Sequence, residues 1–329
     1  MSLSGVQNIT VPSFEPTLRR LDEDGIRWDV RQAIAHGFSA TLLALNAGLA
    51  PAEMQRFVEV AVEEASDALQ IGIEMPIDSF ATARDVLTAA DRAGATHAVL
   101  GVPQGWQPAG EDEIVAAYTE LADASPLRLV LPVGQVGFPE HIGGGVPWGA
   151  WTRLAELDVV RGVHVTSWMP QILFAALQMF HGRLEIGIGT PALLGAMPLI
   201  AREYGVRWLS AAQWEMWQSP DEPYIVRFLE HTVAGRKQEA LDIHWRLAPA
   251  RGIAHGAGLL DSELDGMPHW PLAKYVSWSV GGNGGVTREP ALHVRPHQLH
   301  SRQAMLRAIG IEPRTDEDEF LVGRVADGG

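Results

Sequence analysis

The chain of 329 residues contains no cysteine. That absence excludes a cysteine nucleophile, a zinc–thiolate site and an iron–sulfur cluster held by the protein, and it fits a reducing compartment. The first residues also lack the basic start and apolar core of a signal peptide. Uninterrupted apolar runs fall far short of the roughly 18 residues that span a bilayer. We therefore expect a soluble, cytoplasmic protein with no membrane partner.

Lysine is nearly absent as well. Lys237 and Lys274 are the only lysines among the 25 basic residues. A high arginine share is usually an effect of genomic composition, but it leaves only these two candidates for a lysine imine. The net charge of −15 argues against a nucleic-acid partner, because faces that bind a phosphate backbone are basic.

Eight short apolar runs alternate with amphipathic helical segments. The starts of runs two to eight lie 22 to 33 residues apart, which is the spacing of repeated β-loop-α-loop units. This alternation predicts a parallel (β/α)8 barrel, and the alternative is a doubly wound open sheet. No glycine-rich phosphate loop follows the first run, which disfavours the open sheet. The predicted strands are Val6–Val11, Phe38–Leu45, Gln70–Met75, His97–Gly101, Leu127–Leu131, Val160–Val165, Leu184–Ile188 and Val206–Ser210.

Helical patterns continue beyond the last strand. They predict a barrel over residues 1–218 and a helical extension over 219–329 that packs on it. Ser79 is predicted to cap the helix after strand three, and a single helix is predicted over Pro191–Tyr204. Within the extension we expect a loop over Gly252–Pro268, a flexible connection over Gly281–Gly285 and a frayed acidic tail from Thr315.

With its strands placed, the chain resembles the dihydrodipicolinate synthase / N-acetylneuraminate lyase family. The resemblance covers nearly the whole barrel and the helices after it. It rests on the order and spacing of Gly37 before strand two, LAPAE at Leu49–Glu53, RAGA at Arg92–Ala95 and RGV at Arg161–Val163. It implies an aldolase-type barrel, a small 2-oxo acid or related ligand, and a homodimer or homotetramer.

The resemblance fails at three functional positions. The family uses a lysine at the end of strand six to form a Schiff base with a 2-oxo acid, and the matching residue here is His164. The family's proton-relay tyrosine falls on Pro132 or Val133, and its double-threonine loop falls on Leu45–Gly48. Each departure removes a functional group, so the resemblance implies a divergent member without the Schiff-base lysine rather than an ordinary pyruvate aldolase.

The predicted catalytic residues are His164 and Glu74, at the ends of strands six and three. Enzymes of this fold act at the C-terminal mouth of the barrel. An imidazole there can transfer protons or bind a metal, and a carboxylate can act as a general base or a metal ligand. The structural alternatives are a hydrogen-bonded core histidine and a carboxylate in an ion pair with an arginine.

Other polar residues that follow the strands are predicted to bind substrate, although loop polarity alone could account for them. Thr190 precedes a helix opened by Pro191, where an anionic group is favoured. A carboxylate between Trp214 and Trp217 could be desolvated enough to act as an acid. The predicted binding residues are Asn46, Gln104, Gln135, Thr166, Thr190, Gln213 and Glu215.

The chain has eleven tryptophans, and several follow strands or begin the next helix. They either line the mouth, where they would favour a bulky or aromatic ligand, or pack helices onto the barrel. Trp106, Trp148, Trp168, Trp214 and Trp217 have such positions. His293, His297 and His300 have metal-ligand spacing but are interpreted as a solvated surface, because Pro296 makes a shared helix face improbable.

Three functions remain open at this point. The first is a lyase or hydratase that acts on a small carbonyl or carboxylate compound, with His164 and Glu74 in acid–base roles and neither an imine nor a cofactor. The second is a metal-assisted version with a divalent ion on the same two residues. The third is a non-catalytic barrel that binds a ligand or partner.

Overall fold

The protein is a closed barrel of eight parallel strands surrounded by helices, as the strand spacing predicts. The computed structural model describes residues 2–75, 79–103, 105–134, 138–211, 214–257, 269–288 and 294–324. The strands pair in sequence order and β1 also pairs with β8, which closes the barrel. They are β1 (Gly5–Thr10), β2 (Ala40–Ala44), β3 (Gln70–Met75), β4 (His97–Leu100), β5 (Arg128–Val133), β6 (Val160–Val165), β7 (Glu185–Ile188) and β8 (Trp208–Ser210).

Helices follow the strands and continue into the extension. Ser79 caps α3 as predicted, because its hydroxyl accepts the Thr82 N–H. The segment predicted as one helix over Pro191–Tyr204 begins instead as a 3-10 helix at Pro191–Ala196. The helices are α1 (Glu23–Ala35), α2 (Pro51–Ala65), α3 (Phe80–Arg92), α4 (Glu111–Ala124), α5 (Trp148–Leu154), α6 (Pro170–Phe180), α7 (Met197–Tyr204), α8 (Tyr224–Val233), α9 (Lys237–Arg246), α10 (Ala248–Ala257), α11 (Trp270–Ser279), α12 (Pro296–Ala308) and α13 (Glu317–Val322).

The barrel interior is filled by large side chains that face inward-pointing glycines. A Cβ on Gly187 would lie 2.6 Å from the indole of Trp208, and a Cβ on Gly72 would lie 2.5 Å from the His97 ring. Trp208 also packs with Leu42 in a cluster inside the barrel. Large and small residues therefore alternate between facing strands, which is how a packed barrel fills its volume.

A line of buried hydrogen bonds crosses this interior. Trp208 Nε1 donates to Gln7 Oε1 at 3.0 Å, and the Gln7 amide nitrogen lies 2.7 Å from His97 Nε2. The other His97 nitrogen is 2.9 Å from Thr96 Oγ1. Burial, with the nearby charge of Arg128 as a second cause, lowers the pKa of His97 to about 4. The imidazole is therefore neutral at pH 7, and this polar layer fixes Trp208 in the centre of the barrel.

Helix α11 of the extension packs over one side of the barrel mouth. Trp270 and Ala273 form an apolar cluster with Val11, Ala44 and Ala47, which follow or end β1 and β2. The extension therefore closes part of the mouth and does not form a separate body beside the barrel.

Three predictions for the extension are wrong. The segment Gly281–Gly285 is not a flexible connection, because Gly281 O accepts the Trp28 indole N–H and Asn283 N donates to Asp29 Oδ1 at 2.6 Å. The predicted loop from Gly252 is helical as far as Ala257, and residues 258–268 lie outside the described part of the chain. The acidic tail forms α13, because Phe320 packs on aromatic rings of α11.

Candidate active site

His164 lies on the inner face of β6, as its position in the strand predicts. Its Nε2 lies 2.5 Å from the carbonyl oxygen of Ser210 on β8, so Nε2 carries the proton and donates it. The ring is 7% exposed and lies 6.2 Å from the Trp208 ring, centroid to centroid. Burial lowers the pKa of His164, so the imidazole is neutral at pH 7. Its Nδ1 is then an unprotonated acceptor, and it is buried without a partner among the described residues.

Glu74 lies two residues beyond the inward-facing Gly72 on β3, so its side chain shares the barrel-facing side of the strand. Its Oε2 is buried and has no hydrogen-bond partner in the described parts of the chain. No ion pair of Glu74 with an arginine is found there, so the described residues give the ion-pair alternative no support. Burial raises the pKa of Glu74 to about 7. Near neutral pH the group can therefore either donate or accept a proton.

Two further unpartnered polar atoms belong to the same end of the barrel. Asn46 Oδ1, just beyond β2, and Ser210 Oγ, at the end of β8, are buried and unpaired among the described residues. Buried polar atoms are nearly always hydrogen-bonded, so these four atoms at the ends of four strands are donors and acceptors that a ligand or water could engage. Ser210 was not predicted, and its position after an apolar strand gave no chemical signal.

The two threonines predicted to bind substrate already have local partners. Thr166 Oγ1 donates to Val133 O at 3.4 Å, a long bond that leaves the hydroxyl free to rotate toward a ligand. Thr190 Oγ1 accepts the Ala192 N–H at 3.3 Å and so caps the 3-10 helix. Thr190 therefore has a capping role, whereas Thr166 stays a predicted binding residue just beyond β6.

The structure does not bring Glu215 together with His164 and Glu74. Its Oε1 accepts Asn8 Nδ2 at 2.7 Å, and Asn8 points to the opposite side of β1 from the inward-facing Gln7. Burial raises the pKa of Glu215 to about 7, with the Asn8 hydrogen bond opposing. The predicted desolvation is present, but this carboxylate lies between β1 and the surrounding helices. The prediction that Glu215 lies at the mouth of the barrel is therefore wrong, and this residue belongs to the outer core.

Neither of the two lysines lies on a strand of the barrel. Lys237 is exposed at the start of α9. Lys274 is buried, and its Nζ donates to Pro12 O and to Ser13 Oγ at 2.8 Å each. Burial lowers the pKa of Lys274 to about 8, with the charge of Asp29 opposing. Both contacts of Lys274 lie beyond the end of β1, so the amine fixes α11 to the barrel.

Most of the predicted mouth tryptophans pack helices onto the barrel instead. Trp214 and Trp217 are buried in the core between strands and helices. Trp106 packs edge to face against Phe80, with 5.2 Å between the ring centroids, and Trp148 packs against the same core. Trp168 is 56% exposed. Trp208 inside the barrel and Trp270 at its mouth lie next to the site, and neither was predicted.

Four of the predicted residues lie outside the described part of the chain, namely Gln104, Gln135, Gln213 and His293. His297 and His300 are exposed on α12, in keeping with a solvated surface.

The described residues do not form a group of three or more histidine and carboxylate side chains that could hold a metal ion. Nε2 of His164 donates to the Ser210 carbonyl and is not available to a metal ion. The two possible ligands are then Nδ1 of His164 and the Glu74 carboxylate. A catalytic zinc site uses three protein ligands, so this pair does not fit one by itself. Across the described ranges, none of the helices is long and apolar enough to cross a membrane.

The structure is a closed (β/α)8 barrel with polar groups at the C-terminal ends of its strands. Solved structures that are similar to it include dihydrodipicolinate synthase from Aquifex aeolicus, at 14% identity and a TM-score of 0.75, which covers 95% of this chain and 100% of that chain. The complex of pyruvate with dihydrodipicolinate synthase from Acinetobacter baumannii matches at 16% identity and a TM-score of 0.73, over 94% and 100%.

N-acetylneuraminate lyase from Fusobacterium nucleatum matches at 15% identity and a TM-score of 0.72, over 93% of this chain and 99% of that chain. No family model and no curated protein matches the sequence. The chain thus has the fold of dihydrodipicolinate synthase and N-acetylneuraminate lyase over nearly its whole length.

Proposed function

We propose that this protein is a lyase or hydratase that acts on a small carbonyl or carboxylate compound without forming a lysine imine. The observation that carries the proposal is the set of unpaired polar atoms at the C-terminal ends of β2, β3, β6 and β8. They comprise a neutral imidazole nitrogen, a carboxyl group that titrates near neutrality, an amide oxygen and a hydroxyl. Such a set can remove a proton, return one and orient a polar substrate.

In the proposed reaction the two titratable groups have opposite roles. Nδ1 of His164 accepts the proton of a carbon next to the carbonyl or carboxylate group, because Nε2 keeps its own proton on the Ser210 carbonyl. The protonated Glu74 gives its proton to the departing hydroxyl, which leaves as water. Asn46 and Ser210 bind the substrate's polar groups, and Thr166 assists. The reverse sequence adds water, so a hydratase and a dehydratase share one arrangement.

The absence of a suitable lysine argues for this route. The amine of Lys274 has two acceptors at 2.8 Å, and burial surrounds it with protein. A carbonyl substrate would have to displace both contacts and open the packing of α11.

The protein is proposed to need no cofactor and to act in the cytoplasm as a homodimer or homotetramer.

The test is a screen of 2-oxo and 2-hydroxy acids for addition or loss of water and for carbon–carbon cleavage, with three variants. His164→Gln keeps an N–H donor for the Ser210 carbonyl but removes the base, and Glu74→Gln removes the acid. We expect each to lower kcat/KM by about 10²–10⁴-fold. Glu203→Gln, an exposed residue of α7, is the matched control and should leave turnover unchanged.

Reduction with borohydride during turnover gives an independent readout. We expect no mass increase on Lys237 or Lys274 and no inactivation. A covalent adduct on either lysine, or full activity in both site variants, would refute the proposal. Dependence of turnover on an added divalent ion, abolished by chelator, would favour the metal-assisted alternative instead.

A second candidate is a barrel that binds a ligand without catalysis. It is favoured by the way His164 is held, with one nitrogen bonded to the scaffold and its ring against Trp208. In that case a 2-oxo acid would bind with an affinity that falls in His164→Gln, and no compound in the screen would be turned over.

A further inference from the structure

The opposite end of the barrel from the candidate active site carries a cluster of arginines. Arg128 and Arg161 stand at the first and second positions of β5 and β6, and Arg183 and Arg207 come shortly before β7 and β8. The first four strands have no arginine at the equivalent positions. Because the barrel is closed in sequence order, these four arginines lie side by side around one half of its N-terminal rim.

These four side chains line a single open cavity of about 710 Å³. Small-molecule sites have volumes of about 300–1,000 Å³, so the cavity is large enough for a metabolite. Tyr204 and Ser2 also line it and offer hydroxyl groups. Among its lining residues Glu185 is the one acidic residue, although the whole chain carries a net charge of −15.

Two of the arginines are held in place by carboxylates. Arg207 pairs with Glu185 through Nη2 at 2.5 Å and Nε at 3.2 Å, and Arg183 pairs with Glu156. A guanidinium has five N–H donors, so these contacts orient each group and leave donors for a ligand. Arg161 is exposed and makes no ion pair with any residue in the described ranges.

We propose that this cavity, lined by Arg128, Arg161, Arg183 and Arg207, binds a small anion with two or more negative charges. The shared chemistry of the ligand is a cluster of anionic oxygens, as in a phosphate ester or a di- or tricarboxylate. Guanidinium groups match both, because their paired N–H donors bind two oxygens at once. The site is separate from the candidate active site, since it lies at the starts of the strands rather than at their ends.

The experiment measures binding of inorganic phosphate, citrate and acetate to the full chain by isothermal titration calorimetry at constant ionic strength. We expect saturable binding of phosphate or citrate, and much weaker binding of acetate because it has a single charge. The tighter of the two multivalent probes identifies the source of the anionic oxygens.

The variants test whether the cavity is responsible. Arg161→Gln is exposed and should fold normally, and we expect it to weaken binding by about three- to tenfold. Arg207→Gln should also weaken binding, because Arg207 lines the same cavity at another position. Arg92→Gln is the matched control, because Arg92 is exposed in the last turn of α3, just before β4, and does not line the cavity. It should bind like the unmodified protein.

Two results would overturn the proposal. One is the lack of saturable binding of both multivalent anions at millimolar concentrations. The other is an equal loss of affinity in Arg92→Gln and Arg161→Gln, which would show that the anions respond to overall charge and not to this cavity.

Discussion

The imidazole of His164 and the backbone carbonyl of Ser210 form a hydrogen bond that crosses β7, with 2.5 Å between Nε2 and the oxygen. The bond is possible because the residue between them is Gly189, whose missing Cβ would lie 2.5 Å from Nε2 and 3.0 Å from the same carbonyl oxygen. Gly189 therefore leaves room for the contact with the carbonyl, and the carbonyl determines that Nε2 carries the proton and that Nδ1 is left to accept. The chemistry proposed for the site depends on this tautomer.

Substitution of Gly189 by alanine should disrupt this relationship. The new Cβ would collide with His164 and with the Ser210 carbonyl, so we expect a loss of about 1–3 kcal/mol in the free energy of unfolding. Gly252→Ala is the control, because Gly252 lies in α10 and a Cβ added there would have nothing within 4 Å, so alanine should stabilise the helix by about 0.5–1 kcal/mol. Urea unfolding measures both variants, and equal stability of the two would contradict the geometry.

The carboxyl group of Glu74 should make stability depend on pH. Burial raises its pKa from 4.5 to about 7, so the folded protein holds this proton more tightly than the unfolded chain does. Below pH 4.5 both states are protonated and the group has no net effect. As the pH rises from 4.5 to 7 the unfolded chain releases the proton first, so the folded state is destabilised, by about 3 kcal/mol when the pH exceeds 7.

Glu74→Gln removes this effect. We expect the variant to match the unmodified protein near pH 4 and to be more stable by up to about 3 kcal/mol at pH 8. Denaturant unfolding at several pH values measures the difference. Glu203→Gln, which changes an exposed carboxylate, should stay within about 0.5 kcal/mol throughout. A gain that is the same at pH 4 and pH 8 would show that Glu74 does not titrate in this range.

Lys274 and Asp29 are predicted to be energetically coupled. Lys274 Nζ donates to Ser13 Oγ, which donates to Asp29 Oδ2 at 3.3 Å, and Asp29 is buried enough that its pKa is raised despite the nearby lysine. Lys274→Met leaves this carboxylate without that cation, so we expect a loss of about 3 kcal/mol in the free energy of unfolding.

A double-mutant cycle with Asp29→Asn measures the coupling. The double variant should be destabilised by about 1–3 kcal/mol less than the sum of the single variants. Lys237→Met, at an exposed helix start, is the control and should be nearly neutral. Strict additivity of Lys274→Met and Asp29→Asn would show that the lysine stabilises α11 through its backbone contact alone.

Sequence reasoning placed the inner-face residues better than it placed those in loops and the extension. His164 and Glu74 follow the alternation of their strands, and β3 and β6 begin and end where the pattern predicts. Glu215 was misplaced because it lies in a short 3-10 helix, where neither a period of two nor a full helical period assigns a face. Ser210 was missed because its importance comes from its carbonyl oxygen, and every residue has one.

The amino-acid sequence was enough to predict the barrel and its strand order, because apolar periodicity and loop spacing are local signals that recur along the chain. It also showed that the chain has only two lysines, neither of them in a predicted strand. The tertiary structure decided the chemistry that remains. The bond of His164 to Ser210 joins residues 46 apart, and the bond of Lys274 to Pro12 joins residues 262 apart. Contacts at such separations depend on how the packed elements meet, which no local pattern encodes.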